Sequence, residues 1–335
     1  MIKQKILVAE DSPAQRLMLA RQLKKWEYEV IEASDGAEGL TRFQVESPAI
    51  VITDLDMPVM DGIALIERIR ALESSRTYII VLSASGDKST VVTALAHGAD
   101  DYLVKPYHPD ELHVRLSGAE RVLRLQNQEL LIFAMAQLVD IRSSETGAHL
   151  ERVQFFCRRL AEELAGDDVS LGISASWISS LVSMSPLHDI GKIGIPDAIL
   201  NKPGRLDPDE FEIMKDHVNI GVSVLSRIYE RTRYAPFGFA IELIASHHEK
   251  WDGSGYPNGL SGKEIPLSGR IVALADVYDA ISSQRVYKPA FPRDECRRII
   301  LEGSGSHFDP ALVGIFDRIE DELWSVVERL RDSHD

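Results

Sequence analysis

Five short apolar runs, each followed by a stretch of helical length, constrain the start of this chain more than any other feature. KILVAE, EVIEAS, AIVITDL, YIIVLSA and DYLVKP all fall within the first 106 residues. Runs of this length, rich in Val and Ile, suit strands and are too short for helices. Strands that alternate with helices close into a parallel sheet through right-handed crossovers, so an α/β domain is expected here. After Pro106 the strand signal ends. From Asp110 onward the chain reads as helices joined by Gly- and Pro-containing loops, which predicts an all-α second domain.

The junction is itself helical. Between Asp110 and Gln137 only Gly118 interrupts the run of helix formers. Leu112, Leu116, Ala119, Leu123, Gln126, Leu130, Phe133 and Gln137 recur at alternating steps of four and three, a heptad-like seam with two polar positions. Such a face either pairs with a second copy or packs on its own domains. The expected division is a first domain over 1–121, a connecting helix over 110–137 continuous with it, and a second domain over 138–335.

Bulk properties narrow the class of partner. A net charge of −15 argues against a general nucleic-acid binder, which needs clustered Lys and Arg. No apolar run approaches the roughly 20 residues that span a bilayer, and MIKQKILVAED lacks the pattern of a secretory signal. Cys157 and Cys296 lack CxxC spacing and read as reduced thiols. The expectation is a cytoplasmic protein without a membrane or DNA partner.

In an open parallel sheet, functional groups collect at the carboxyl ends of the strands. Glu10 and Asp11 end the first strand, Asp54 the third, Ser83 the fourth and Lys105 the fifth. Three carboxylates brought together repel one another unless a hard cation such as Mg²⁺ joins them. A carboxylate placed there is a candidate nucleophile toward a phosphoryl group, with Lys105 neutralising charge and Ser83 donating a hydrogen bond. These residues, with Asp54-Leu55-Asp56-Met57-Pro58, Asp61-Gly62 and Lys105-Pro106, resemble a response-regulator receiver over about residues 4–121. The resemblance implies a flavodoxin-like, five-stranded sheet with Asp54 as the phosphoacceptor. It also implies Mg²⁺ held by Glu10, Asp11, Asp54 and the Asp56 carbonyl, a cis Lys105–Pro106 bond, and Ser83, Tyr102 and Lys105 as the switch residues. A sensor histidine kinase would be the phosphodonor.

The second half carries a histidine–carboxylate set. Glu145 and His149 are four apart on one helical face; His188-Asp189, His217, His247-His248 and Asp276 follow on separate segments. Facing helices of a bundle deliver ligands inward at such intervals. Five imidazoles and three carboxylates exceed the needs of one ion, and nitrogen and oxygen donors without thiolate suit Fe or Mn. Two or three such ions would hold phosphate oxygens for in-line displacement at phosphorus.

The strings ETGAHLERV, LHDIGKIGIPDAIL, HHEKWDGSGYPNGLSGKEIP and ADVYDAISSQRVYK are similar to the HD-GYP family of phosphohydrolases, from about Val139 to Phe316. That resemblance implies an HD-type helical bundle hydrolysing cyclic di-GMP to the linear dinucleotide pGpG or on to GMP. It implies that Asp189 bridges two metals, with His188, His217, His247, His248 and Asp276 completing their shells and Glu145 and His149 serving a third position. Lys192 would act beside Asp189 in catalysis and on the substrate phosphate. Tyr256, Arg285 and Lys288 would contact substrate, and the Gly255-Tyr256-Pro257 loop would meet diguanylate cyclases. His307 reads as structural. Val218 and Val286 stand where the family often has Pro. The whole chain is then expected to be a homodimeric response regulator whose phosphorylation controls a phosphodiesterase. The competing readings are a non-catalytic cyclic di-GMP or cyclase adaptor, and a hydrolase of another cyclic dinucleotide.

Overall fold

A computed structural model describes residues 4–72, 77–84, 87–143, 147–284 and 290–331. It divides into two units, Met1–Gln128 and Glu129–Asp335.

In the first unit the elements alternate as β1 (Lys5–Ala9), α1 (Pro13–Lys25), β2 (Glu29–Ala33), α2 (Gly36–Glu46), β3 (Ile50–Asp54), α3 (Gly62–Leu72), β4 (Tyr78–Ser83), α4 (Lys88–Ala96) and β5 (Asp101–Val104). Helix α5 (Pro109–Arg142) follows. All pairings are parallel and the sheet order is β2-β1-β3-β4-β5, the expected α/β receiver architecture. The two-residue period of a strand sorts the core into halves. Ile6, Val8, Ile50, Ile52, Ile80 and Leu82 pack with α1 and α5; Leu7, Ala9, Val51, Ile79 and Val81 pack with α2, α3 and α4. Because both faces are covered, β3 is buried at every position. Its register against β1 pairs Ala9 with Thr53, and against β4 pairs Asp54 with Leu82, which brings the strand-end carboxylates to one edge.

The second unit is helical, as expected. After the last turns of α5 come α6 (Gly147–Asp167), α7 (Ala175–Met184), α8 (Asp197–Leu200), α9 (Pro208–Lys215), α10 (His217–Thr232), α11 (Ala235–Ile244), α12 (Leu267–Ser282), α13 (Arg293–Glu302) and α14 (Pro310–Arg329). Short 3₁₀ turns at Ser185–Leu187 and Ile190–Gly194 lie between α7 and α8. Helix α12 is apolar on nearly every side, from Ile271 through Ala275, so it runs through the centre. Tyr278 on α12 packs edge-on against Phe156 of α6 at 5.3 Å and Phe316 of α14 at 4.9 Å between ring centres. Cys157 and Cys296 are buried free thiols. No helix among the described residues is long and apolar enough to cross a membrane.

The seam expected along α5 behaves differently in its two halves. Leu112, Leu116, Ala119 and Leu123 are buried in the core of the first unit, so this stretch is not available for pairing with a second copy. Their four-and-three spacing is the stripe of an amphipathic helix on its own sheet. The Gln126 side chain lies outside the described residues. Beyond it Phe133 is half-buried against the core of the second unit and Leu130 is exposed. The other exposed apolar residues there, Leu131, Met135, Leu138 and Ile141, lie in a register the seam did not contain.

Candidate metal centre and phosphoacceptor site

Helix ends place the histidines. His188 closes the 3₁₀ turn after α7, His217 opens α10, and His247 follows α11. In each, Nδ1 lies against the carbonyl three residues back: Ser185 at 2.9 Å, Met214 at 2.8 Å and Ile244 at 2.9 Å. Carbonyls at the end of a helix lack an intrahelical donor, so an imidazole there can donate to them. His149, on the first turn of α6, sets Nδ1 2.7 Å from Oδ2 of Asp279 instead. An oxygen of this kind only accepts, so Nδ1 carries a hydrogen in all four rings, and in the neutral form of each ring it is Nε2 that presents a lone pair. This is the tautomer of a metal ligand whose other nitrogen is braced by an oxygen.

Those lone pairs converge in two sets. Ligand atoms of Asp189, His217, His247 and His248 lie within 4.8 Å of one another, as do those of His149, His188 and Asp276. Asp189 stands between the sets. Its Oδ1 is 3.2 Å from His217 Nε2 and 3.9 Å from His247 Nε2, while its Oδ2 is 3.3 Å from His188 Nε2. Asp276 Oδ1 lies 3.8 Å from His188 Nε2 and 4.0 Å from His149 Nε2. Buried polar atoms are nearly always hydrogen-bonded. Here Nε2 of His188, His217 and His247 and Oδ1 of Asp189 are buried with no hydrogen bond. Orphaned nitrogen and oxygen atoms pointing at a common centre fit divalent ions.

The electrostatics also ask for positive charge. Burial works against a charged His188, but Asp189 and Asp276 outweigh it and push its pKa up to about 10. Burial would raise the Asp189 carboxyl, yet Lys192 and His188 hold it well below the usual range. The Lys192 Nζ is 2.7 Å from Asp189 Oδ2. Burial, with the neighbouring His217 and His188 adding to it, lowers His248 to about 4 against the pull of the carboxylates. His248 is thereby held in the neutral form, the one able to bind a metal.

A layer behind the ligands was not foreseen. Asp279 lies one helical turn after Asp276 and faces the same way. Besides His149 it accepts from Arg152 Nε at 2.5 Å, and Arg152 Nη1 donates to the Leu330 carbonyl at 2.7 Å. Arg152 is the largest fully buried side chain of the described residues. The string ADVYDA contained the clue to Asp279, a second Asp at the next turn; Arg152 gave none, because only the packing of α6 on α12 reveals its partner.

Near the mouth, Tyr256 tilts over His248 at 4.7 Å and meets Phe211 edge-on at 6.3 Å. The Lys215 Nζ sits 5.5 Å from the Tyr256 ring centre. Buried Glu249 shapes the loop by accepting from the Asn258 and Leu260 backbone at 2.7 and 3.1 Å. Glu145, Arg285, Val286 and Lys288 lie outside the described residues. His149 joins the set of His188 and Asp276, and no third histidine–carboxylate set occurs among the described residues.

At the sheet edge of the first unit, oxygens of Glu10, Asp11 and Asp54 lie within 4.8 Å of one another. Lys105 Nζ contacts both Glu10 Oε2 and Asp54 Oδ2 at 2.6 Å. The oxygen-only donor set fits Mg²⁺. Asp54 Oδ1 accepts from the backbone of Leu55 at 2.6 Å and Asp56 at 3.3 Å, which orients the carboxylate. Asp56 is exposed, Ser83 is buried beside this edge, and Tyr102 is packed inward. The Lys105–Pro106 bond is cis.

Comparisons with known proteins agree with both halves. Residues 6–117 match the response regulator receiver domain and residues 134–312 match the HD domain. A cyclic di-GMP phosphodiesterase of Thermotoga maritima is 34% identical over 98% of this chain and 93% of its own length. The cyclic di-GMP phosphodiesterase response regulator RpfG of Xanthomonas campestris pv. campestris is 35% identical over 92% of this chain and 85% of its own. The 3'3'-cGAMP-specific phosphodiesterase 2 of Vibrio cholerae is 43% identical over 63% of this chain and 38% of that protein.

Proposed function

We propose, from the premise that this chain belongs to the response regulators that join a receiver domain to an HD domain, that phosphorylation of Asp54 controls hydrolysis of cyclic di-GMP at the histidine–carboxylate centre. The chain is a metal-dependent phosphodiesterase. The observation that carries this reading is the position of Asp189, one oxygen toward each set of Nε2 lone pairs.

His217, His247 and His248 would hold one ion and His149, His188 and Asp276 a second, with Asp189 shared between them. Glu145, four residues before His149 in sequence, would add a further carboxylate ligand. Fe or Mn bound there would polarise the scissile phosphate and supply an activated water. Lys192, whose ammonium already lies against Asp189, neutralises charge on the phosphate and hands a proton to the leaving oxygen. Tyr256 offers its face to a guanine base, with Arg285 and Lys288 as cations toward the rest of the substrate. In the receiver, Asp54 takes the phosphoryl group from a sensor histidine kinase, and Glu10, Asp11, Asp54 and the Asp56 carbonyl would hold the Mg²⁺ that neutralises its charge. Ser83, Tyr102 and Lys105 register the new charge. Two copies pair through the exposed row Leu131, Met135 and Leu138, and the Tyr256 loop serves as a contact for diguanylate cyclases. The protein acts in the cytoplasm.

A second reading, hydrolysis of a hybrid cyclic dinucleotide, is favoured by the relative named for 3'3'-cGAMP. Competition separates the two. Protein loaded anaerobically with Fe²⁺ or Mn²⁺ is given both nucleotides together, and products are resolved by chromatography. Preferential loss of cyclic di-GMP supports the first reading. Preferential loss of the hybrid supports the second, and loss of neither would remove both.

A further inference from the structure

One side chain ties the end of α5 to the turn that carries Asp189 and Lys192. Arg142, the last residue of α5, donates from Nη1 to the carbonyls of Lys192 at 3.4 Å and of Ile193. Its Nη2 donates to the Ile195 carbonyl at 2.9 Å and pairs with Asp197 Oδ1, also at 2.9 Å. In return the Arg142 carbonyl accepts from Asn201 Nδ2 at 3.1 Å. These acceptors sit along and just beyond the 3₁₀ turn Ile190–Gly194, whose Lys192 carbonyl also accepts from the Ile195 N–H at 3.1 Å. A guanidinium, with five donors in a rigid fork, is the side chain suited to gather them; an ammonium is not. The other flank of the turn is held as firmly. A Cβ on Gly191 would lie 1.8 Å from the His217 carbonyl and 2.6 Å from the Gly221 nitrogen, so the turn lies flat on the start of α10. The turn is therefore clamped between a metal-site helix and the end of α5. Between the clamps stands Lys192, whose ammonium touches Asp189.

We infer that Arg142 is a positioning residue, setting the place of Lys192 against Asp189 and making that turn follow the end of α5. The inference rests on the reading of the centre as a phosphodiesterase controlled through Asp54. Helix α5 is the same helix that contributes Leu112, Leu116, Ala119 and Leu123 to the receiver core. A shift or rotation of its final turn is thereby passed to the carbonyls of Lys192, Ile193 and Ile195. Displacement of about 1 Å at a reacting group costs on the order of a hundredfold in rate, so a small movement is enough to set activity.

The test uses the full chain with Arg142→Met and Arg142→Lys, loaded with Mn²⁺ and assayed with and without phosphorylation by acetyl phosphate. For Arg142→Met the expected result is unchanged metal content and KM, kcat lower by about tenfold or more, and a phosphorylated-to-unphosphorylated ratio that collapses toward one. Arg142→Lys restores part of kcat, because it keeps the charge facing Asp197. Wild-type kcat and ratio in Arg142→Met would overturn the inference. Loss of bound metal would also overturn it, by reducing Arg142 to a structural support. A lowered kcat with the ratio intact would remove the link to α5. Hydrogen exchange over 190–197 separates this from the functional reading. Should the wild type hydrolyse no cyclic dinucleotide, the phosphodiesterase reading fails. Faster exchange in Arg142→Met would still establish the clamp, and unchanged exchange would refute it.

Discussion

Asp279 never faces the proposed ions, yet it decides which nitrogen of His149 does. With its two oxygens taken by His149 and Arg152, it keeps the ring hydrogen on Nδ1 and the lone pair on Nε2. Outer partners of this kind are typically worth ten- to a hundredfold in metal affinity. Asp279→Asn is expected to lower retention by about that factor in a chelator titration; retention equal to wild type would place the role of Asp279 elsewhere. His307 makes a pH prediction. Burial, reinforced by Lys250, lowers it to about 4, and its ring stacks on Phe308 at 4.3 Å. An unfolded histidine titrates near 6.5. The unfolded chain thus binds the extra proton first, so the contribution of neutral His307 to stability is complete above about pH 6.5 and is lost as pH falls toward 4. Denaturation of His307→Phe compared with wild type across that window isolates the effect, and an identical pH slope in the two proteins would contradict it. Most of the clustered His and Asp residues were legible in sequence because they recurred inside distinctive strings. Arg142 and Arg152 were not, since an arginine becomes informative only when the fold shows which oxygens it reaches.

At the scale of elements, the strands were easily read: continuous apolar runs on β1, β3 and β4 suit a sheet covered on both faces. The α5 seam left two readings open because a four-and-three spacing fits both a coiled coil and a helix lying on its own sheet. Leu116, fully buried, distinguishes them. Leu116→Ala is expected to destabilise the receiver unit by about 2–5 kcal/mol in a denaturant titration while leaving oligomeric state unchanged. Conversely, Leu131→Lys with Leu138→Lys is expected to convert a dimer to a monomer by light scattering. A dimer surviving that change would remove the row from the interface. Gly191 supplies the sharpest element-level test. With the His217 carbonyl 1.8 Å from any Cβ, Gly191→Ala forces the turn away from α10. Since the turn carries Asp189 and the helix carries His217, metal content should drop with activity. A fully loaded, active variant would show that the turn has room to move.

For the whole molecule, two carboxylate-rich sites share one chain, one built from oxygen donors and the other from nitrogen and oxygen. The first suits reversible phosphorylation with Mg²⁺, the second hydrolysis at phosphorus. The domain classes were legible from the change in periodicity after Pro106. The unit boundary inside α5, between Gln128 and Glu129, was not, because a helix that runs through a boundary keeps its pattern. The central claim rests on Asp189, and the most direct test is the rate of cyclic di-GMP loss by chromatography for Mn²⁺-loaded wild type and Asp189→Ala. The account predicts conversion to pGpG or GMP by the wild type and none above background by Asp189→Ala. Equal turnover by the two proteins, or none by the fully loaded wild type, would contradict it.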